Sequence, residues 1–168
     1  FANFQSSQAA GERIMALLEA EIDIKDSDEV IRKYGKITSD MSVPKLKGSI
    51  RFENVSFQYK EGEKVLETFN LDVEPGQCIA LVGETGSGKT TIVNLACRFY
   101  EPTEGVIYVD GEDYKKIPLM YIHKNLGYML QSPHLFSGTI MDNIRYGKEN
   151  ATDEDVMNAA KMVEAHDF

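Results

Sequence analysis

Residues 83–90 have the sequence Gly83-Glu84-Thr85-Gly86-Ser87-Gly88-Lys89-Thr90. It satisfies the pattern G-x-x-x-x-G-K-[ST] of a phosphate-binding P-loop. The glycines allow consecutive backbone N–H groups to turn toward an anion, in conformations that a Cβ would forbid. Lys89 would add a positive charge on the β- and γ-phosphates, and the hydroxyl of Thr90 would bind Mg²⁺. We therefore expect a nucleotide phosphate site here.

The flanking residues have the pattern that this loop requires. Cys78-Ile79-Ala80-Leu81-Val82 is a short, continuous apolar run, which is typical of a strand buried on both faces of a parallel sheet. After Gly88 the apolar residues recur with helical spacing as far as Phe99. A helix that begins at about Gly88 would direct its N-terminal N–H groups and its dipole at the same anion.

Further strand patterns lie on both sides of the loop. Residues 50–59 alternate with period two and predict a pair of strands broken near Glu53-Asn54, and residues 65–73 predict another strand. Residues 105–109 enter a tight turn, and residues 126–131 are an apolar run that ends at a polar side chain. We expect both of these segments to be strands as well.

Helical patterns lie toward the two ends of the chain. Apolar side chains in residues 9–20 follow the spacing of an amphipathic helix, whereas residues 23–48 are polar and unpatterned and predict a linker. Residues 139–146 and 152–166 predict two more helices. The last of these begins with a capping box at Thr152, in which Asp replaces the usual Glu.

Composition excludes several functional classes. The 168 residues carry 18 Lys and Arg against 27 Asp and Glu, a formal net charge of −9, which argues against nucleic-acid binding through net charge. No segment has the length of a membrane span or the pattern of a signal peptide, so we expect a soluble chain. Cys78 and Cys97 lie in apolar segments, where we expect small buried hydrophobes and not a disulfide or metal site. The histidines, which show no metal or triad spacing, are His123, His134 and His166.

The P-loop alone leaves the class of nucleotide-binding protein open, but its surroundings narrow the choice. The chain contains no guanine-specificity motif of the N-K-x-D type. Residues 50–59 (IRFENVSFQY), 83–91 (GETGSGKTT) and 127–140 (GYMLQSPHLFSGTI) together resemble the nucleotide-binding domain of an ATP-binding cassette (ABC) transporter, of the exporter type with fused membrane and ATPase domains. The third stretch is the most discriminating, because few other P-loop families carry it.

The resemblance implies an α/β fold, with a P-loop NTPase core and an antiparallel β subdomain, of which this chain would hold an incomplete part. Residues 49–168 would be the N-terminal portion of the nucleotide-binding domain. Residues 1–22 would be the helix that follows a membrane domain, and residues 23–48 would link the two. The parent protein would lie in the cell membrane, with this domain on the cytoplasmic side.

The resemblance also implies roles for individual residues. Tyr59 matches the A-loop aromatic residue that stacks on adenine, although a strand-end core aromatic is the alternative. Gln131 matches the Q-loop glutamine that bridges Mg²⁺ and the attacking water, although an ordinary strand-ending polar residue is the alternative. Lys89 and Gln131 would be catalytic, and Thr90 and Gln131 would bind the metal. The residues that would bind ATP are Tyr59, Gly83, Glu84, Thr85, Gly86, Ser87, Gly88, Lys89, Thr90, Thr91 and Gln131.

The partners implied are ATP with Mg²⁺, a second nucleotide-binding domain in a homodimer or heterodimer, and the membrane domain. Residues 137–146 match the segment that meets the coupling helices of that membrane domain, and the apolar pair Leu135-Phe136 fits either a partner groove or burial within the domain itself. No nucleic-acid partner is expected. Two other classes stay open, a soluble P-loop ATPase without a membrane partner and a non-catalytic nucleotide-binding module.

The 168 residues contain no Leu-Ser-Gly-Gly-Gln signature, no Walker B Asp with the following catalytic Glu and no switch His. In the ABC family these groups complete the metal site and polarise the attacking water, a step worth roughly 10²–10⁴-fold. We therefore expect residues 1–168 by themselves not to hydrolyse ATP. Phosphate release from the purified chain tests this expectation, and turnover that Lys89→Ala abolishes would contradict it.

Overall fold

The computed structural model describes residues 2–20, 22–60, 62–130, 132, 134–148 and 150–166. These residues form two compact units, one that ends at Leu126 and one that begins at Gly127. The helices are α1 (Ala2–Leu18), α2 (Asp28–Tyr34), α3 (Lys89–Ala96), α4 (Leu119–Lys124), α5 (Ile140–Arg145) and α6 (Asp153–Met162). The strands are β1 (Ile50–Gln58), β2 (Lys64–Val73), β3 (Glu104–Val109) and β4 (Glu112–Asp113).

The first unit is built on one antiparallel sheet with the strand order β2-β1-β3-β4. Strand β1 pairs with both β2 and β3, and its register shifts against each of them around Asn54, whose φ is 50°. The sequence predicted two strands separated by a break near Glu53-Asn54. That prediction is wrong, because the structure has one continuous strand with a β-bulge at this position. The expected antiparallel β subdomain is otherwise present, with β2 and β3 close to their predicted bounds.

One face of the sheet packs against helix α3 and the segment that follows β4. Strand β1 buries Phe52 before its bulge and Val55 and Phe57 after it, so the bulge returns the apolar side chains to the same face. Helix α3 contributes Ile92 and Leu95 from successive turns. The buried cluster comprises Phe52, Val55, Phe57, Leu66, Ile92, Leu95, Ile107, Val109, Tyr114, Ile117 and Ile122.

The apolar run predicted as a buried parallel strand, residues 78–82, and the run at residues 126–131 predicted as a further strand are not strands in the part of the chain that the structure describes. No strand within the described ranges pairs with residues 78–82, and Val82 is 93% exposed. Residues 126–130 are also irregular, with Met129 almost fully exposed, and Gln131 lies outside the described residues. An apolar run becomes a strand only when a neighbouring strand takes its backbone hydrogen bonds, and periodicity does not supply that neighbour. Cys78 is accordingly exposed and not buried as expected.

The N-terminal helix is confirmed, but its apolar stripe is not covered. Helix α1 ends at Leu18, and Ile14, Leu17 and Leu18 are all exposed. Of the helices that the structure describes, none has the length and apolar character needed to cross a bilayer.

Residues 23–48 carry no periodic pattern, yet they include helix α2 and follow the surface of the first unit. Ser27 caps α2 by accepting a hydrogen bond from Val30, which is buried. The N–H of Leu119 donates to Asp26 at 2.7 Å, and Lys33 pairs with Glu112 at 3.2 Å. These contacts hold the segment against α4 and β4. The segment is therefore attached to the unit and not a free tether.

The end of this segment is fixed by two polar side chains. Asn125 accepts from the N–H of Leu46 and donates to the carbonyl of Pro44. Asp110, in the turn after β3, accepts from the backbone N–H groups of Lys47, Gly48 and Ser49 at 2.7–3.0 Å. Partial burial alone would raise the pKa of Asp110, but these hydrogen bonds outweigh it and hold the pKa below its ordinary value.

The second unit contains α5 and α6, and each helix begins with a capping box. Thr139 exchanges hydrogen bonds with Asp142, and Thr152 does so with Asp155, which confirms the capping box predicted at Thr152. The hydrogen bonds from the two threonines lower the pKa of both carboxyl groups. Arg145, at the end of α5, links the two helices. Its side chain bonds to the carboxylate of Asp153 in α6 and to the carbonyl of Ala151 just before α6.

We expect Asp110→Ala to lower the free energy of unfolding by about 1–2 kcal/mol, because it removes a charged acceptor from three backbone N–H groups. Equilibrium denaturation measures the change, with Asp72→Ala, an exposed carboxylate on the same sheet, as the matched control. Because the pKa of folded Asp110 is lowered, its contribution is complete above about pH 4–5 and is lost as the pH falls through the folded pKa. An equal effect of the two variants at pH 7 would contradict the role of Asp110.

Candidate functional site

The P-loop runs directly into helix α3, and Gly88 forms the junction. Gly88 is the N-cap of α3 with φ 84°, and its carbonyl accepts the first helical hydrogen bond, from Ile92 at 2.9 Å. A Cβ at this position would lie 3.0 Å from Leu66 Cδ2 and 3.4 Å from the carbonyl oxygen of Val65. Glycine is therefore required here both by the left-handed backbone and by the close approach of β2.

The ammonium group of Lys89 lies against the loop that precedes it. Its Nζ donates to the carbonyl oxygens of Gly83 at 2.9 Å and Glu84 at 2.6 Å, and to Ser87 Oγ at 3.2 Å. The loop is also closed by a turn, in which the N–H of Ser87 donates to the carbonyl of Glu84. The positive charge is thus held at the start of α3, where the N–H groups of the first turn have no partner within the helix.

A cavity of about 280 Å³ joins the P-loop to the end of β1. The predicted site residues that the structure brings together around it are Tyr59, Gly86, Gly88, Lys89, Thr90 and Thr91. Val65 of β2 also lines the cavity, although no motif in the sequence singled it out. Gly83, Glu84, Thr85 and Ser87 are exposed on the loop itself. Gln131, predicted as a metal and water ligand, lies outside the described residues.

Tyr59 directly follows β1 and forms one wall of this cavity. The residue is 45% exposed, and its ring also packs against Phe57 and Tyr100 at the end of the strand. Its hydroxyl lies 3.0 Å from Thr91 Oγ1, and Thr91 is buried in the first turn of α3. A single hydrogen bond therefore connects the aromatic ring to the helix that begins at the P-loop.

Two residues behind the cavity were missed by the sequence reasoning. Tyr100 packs edge-on against Tyr59, with ring centroids 5.1 Å apart. Arg98 is 2% exposed and donates to the carbonyl oxygens of Tyr114 and Ile117, both at 2.8 Å. The sequence feature that could have indicated Tyr100 is the aromatic pair Phe99-Tyr100 directly after a predicted helix. A charged side chain at a helix end gives no sign that it is buried.

In the second unit, the loop before α5 presents apolar side chains to solvent. Leu135 and Phe136 are exposed, so the alternative of burial within their own unit is not what the structure shows. Asn143 fixes this loop, since its side chain accepts from the N–H of Phe136 at 2.7 Å and donates to the carbonyl of the same residue at 3.0 Å. The ring of Phe136 packs against Tyr146, with centroids 4.9 Å apart.

The sequence profile of the ABC transporter family matches residues 66–168. The chain belongs to the ABC transporter family. The match begins in β2 and includes the P-loop, and it confirms the family that the three sequence stretches indicated.

Curated relatives of the family are similar over most of this chain. An uncharacterized ABC transporter ATP-binding protein of Bacillus subtilis, YfiC, is 40% identical over 168 residues, which are 100% of this chain and 26% of that protein. A mitochondrial potassium channel ATP-binding subunit of Rattus norvegicus is 45% identical over 137 residues, 79% of this chain and 19% of that protein. The chain thus spans about a quarter or less of the length of the curated relatives it matches.

A solved structure of an ABC exporter shares the fold. The structure of a bacterial Atm1-family ABC exporter with ATP bound aligns with a TM-score of 0.76 and 30% identity, and covers 98% of this chain and 27% of that one. The ABC ATPase fold, expected as a P-loop core with an antiparallel β subdomain, is therefore confirmed.

We expect Gly88→Ala to destabilise this ABC transporter chain more than Gly86→Ala. Both glycines have left-handed φ values, which cost a residue with a Cβ about 1–2 kcal/mol, but only at Gly88 would the new Cβ press on Leu66. Nothing lies within 4 Å of a Cβ at Gly86, which makes that variant the matched control. Equilibrium denaturation of the two variants measures the difference, and an equal loss would show that the contact with β2 does not constrain the loop.

Proposed function

We propose that this chain binds Mg-ATP as part of an ABC exporter, whose ATP binding and hydrolysis drive transport across a membrane. The observation that carries the proposal is the cavity that places the ring of Tyr59 and the P-loop residues around one space. An adenine base needs an aromatic face and a triphosphate needs backbone N–H groups and a cation, and this cavity offers both. The similar Atm1-family exporter was solved with ATP bound, which supports the same ligand here.

Each residue of the cavity has a distinct proposed task. The N–H groups of the loop and the first turn of α3 would hold the phosphates, and Lys89 would exchange its bonds to loop carbonyls for bonds to phosphate oxygens. Tyr59 would stack on the base. The protein's part in phosphoryl transfer is mainly positioning and charge neutralisation, so these contacts would also serve the reaction.

The residues present fit a magnesium ion. Mg²⁺ prefers oxygen ligands and is usually held by one or two protein groups together with substrate phosphates. The hydroxyl of Thr90 lies on the cavity beside Lys89 and provides such an oxygen. The bound ion would neutralise charge on the phosphates. Gln131 remains the proposed second ligand on the basis of its position in the motif.

The second unit is proposed to contact the membrane domain. Leu135, Phe136 and Ile140 are exposed on the loop and the start of α5, within or next to the segment expected to meet coupling helices. Exposed apolar side chains on a rigid loop are typical of a protein interface. A second nucleotide-binding domain would complete the ATP site, as the family resemblance implies.

Binding of Mg-ATP to the full-length protein tests the proposal, beside binding of Mg-tripolyphosphate, which has no base. We expect Lys89→Ala to raise the Kd for both ligands at least about tenfold, because it removes charge-assisted hydrogen bonds. Tyr59→Ala should raise the Kd for Mg-ATP roughly fivefold to 100-fold and leave tripolyphosphate binding unchanged, because only ATP offers a base to stack.

Tyr59→Phe keeps the aromatic face and serves as the control for Tyr59→Ala. Wild-type protein that binds neither ligand, or Lys89→Ala with unchanged affinity, would contradict the proposed site. A Tyr59→Ala variant that weakens both ligands equally would contradict the stacking role alone.

A further inference from the structure

Tyr59, the proposed base-stacking residue, belongs to a cluster of three aromatic rings. Phe57, Tyr59 and Tyr100 each pack edge-on against the other two, with centroid distances of 4.8, 5.6 and 5.1 Å and interplanar angles of 87°, 62° and 90°. Edge-to-face contacts of this kind are favourable because the positive edge of one ring meets the negative face of another. Phe57 is buried in the core, whereas Tyr59 and Tyr100 are half-exposed.

We propose that Tyr100 is a positioning residue that sets the orientation of the Tyr59 ring for stacking on the base. Within the part of the chain that the structure describes, Tyr59 lines the cavity and Tyr100 does not. Tyr100 thus acts on the ligand through Tyr59. This inference rests on the proposed function, since it concerns the specificity of the same site.

Tyr100 can serve as a support because its backbone is anchored to the core. Its carbonyl accepts a hydrogen bond of 3.3 Å from the hydroxyl of Tyr114, which is fully buried. Tyr114 is in turn held by Arg98, whose guanidinium donates to its carbonyl and lies 5.4 Å from its ring. The next residue but one, Pro102, is buried and restricts the loop between α3 and β3.

Three contacts hold the Tyr59 ring. Its hydroxyl is hydrogen-bonded to Thr91 of α3, its ring packs edge-on against the buried Phe57, and Tyr100 packs edge-on against it as well. A half-exposed tyrosine at the end of a strand would otherwise sample several rotamers. Fixing one of them before the ligand arrives reduces the ordering cost of binding, and only ligands with a base benefit.

The test compares Mg-ATP with Mg-tripolyphosphate binding in the full-length protein. We expect Tyr100→Ala to raise the Kd for Mg-ATP roughly threefold to tenfold, the size of one aromatic pair, with tripolyphosphate binding unchanged. Tyr100→Phe keeps the ring and should restore wild-type affinity. Phe99→Ala is the matched control, because Phe99 is similarly exposed but packs on His123, and it should leave the ratio of the two Kd values unchanged.

A double variant separates a positioning role from direct contact with the base. In the Tyr59→Ala background, Tyr100→Ala should cause no further loss of Mg-ATP affinity, because the ring that it orients is gone. A full additional loss in that background would overturn the proposal in favour of direct contact. If Tyr100→Ala does not fold, Tyr100→Leu, which fills the space without a ring, replaces it with the same expectations.

Failure of this inference is distinct from failure of the proposed function. If wild-type protein binds Mg-ATP with the expected dependence on Lys89 and Tyr59, yet Tyr100→Ala leaves the ratio of the two Kd values unchanged, the positioning role is overturned and the site stands. If Tyr100→Ala weakens both ligands equally, Tyr100 is a structural residue and the positioning role is again overturned.

Discussion

The first unit depends on a buried positive charge, the guanidinium of Arg98. Removing such a group from water is unfavourable unless each of its N–H groups finds an acceptor. Arg98 has three acceptors of this kind, two backbone carbonyls bonded to Nη1 and the carboxylate of Glu101 at 3.0 Å from Nε. These bonds tie the end of α3 to residues 114–117, and with them the position of Tyr114 and the loop that carries Tyr100. Tyr100, which packs against the cavity residue Tyr59, is thus held in place through a buried ion.

Features of the fold that depend on local chemistry could be predicted from the sequence. The P-loop, helix α3 and the strands β2 and β3 are encoded by glycine positions and apolar spacing within a few residues. The capping box at Thr152 was predicted for the same reason, and the identical Thr-x-x-Asp spacing at Thr139 could have predicted the other. Tyr59 was predicted as a base-stacking residue because its distance before the P-loop matches a family pattern, and the structure places it on the same cavity as the loop.

Features that depend on distant partners could not be predicted. Residues 78–82 have the composition of a buried strand, but their secondary structure is decided by whichever strand lies beside them. Helix α2 has only seven residues, too few to be stable alone, and it owes its stability to docking through Val30 and Lys33. Arg98 and Tyr100 support the candidate site through contacts with residues 114–117. These contacts form only when the folded chain brings residues 114–117 next to the end of α3.

The attachment of residues 26–49 also has a mechanical consequence. Backbone groups just before the first strand are bonded by Asp110 and Asn125. Upstream of these bonds, Lys33 of α2 pairs with Glu112 of β4, and Asp26 accepts from the N–H of Leu119 in α4. Force applied along the chain from α2 would load several hydrogen bonds at once before it reached β1. The segment is therefore tied to the β3–β4 hairpin at two places, through Lys33 and Glu112 and through the backbone of residues 47–49 and Asp110.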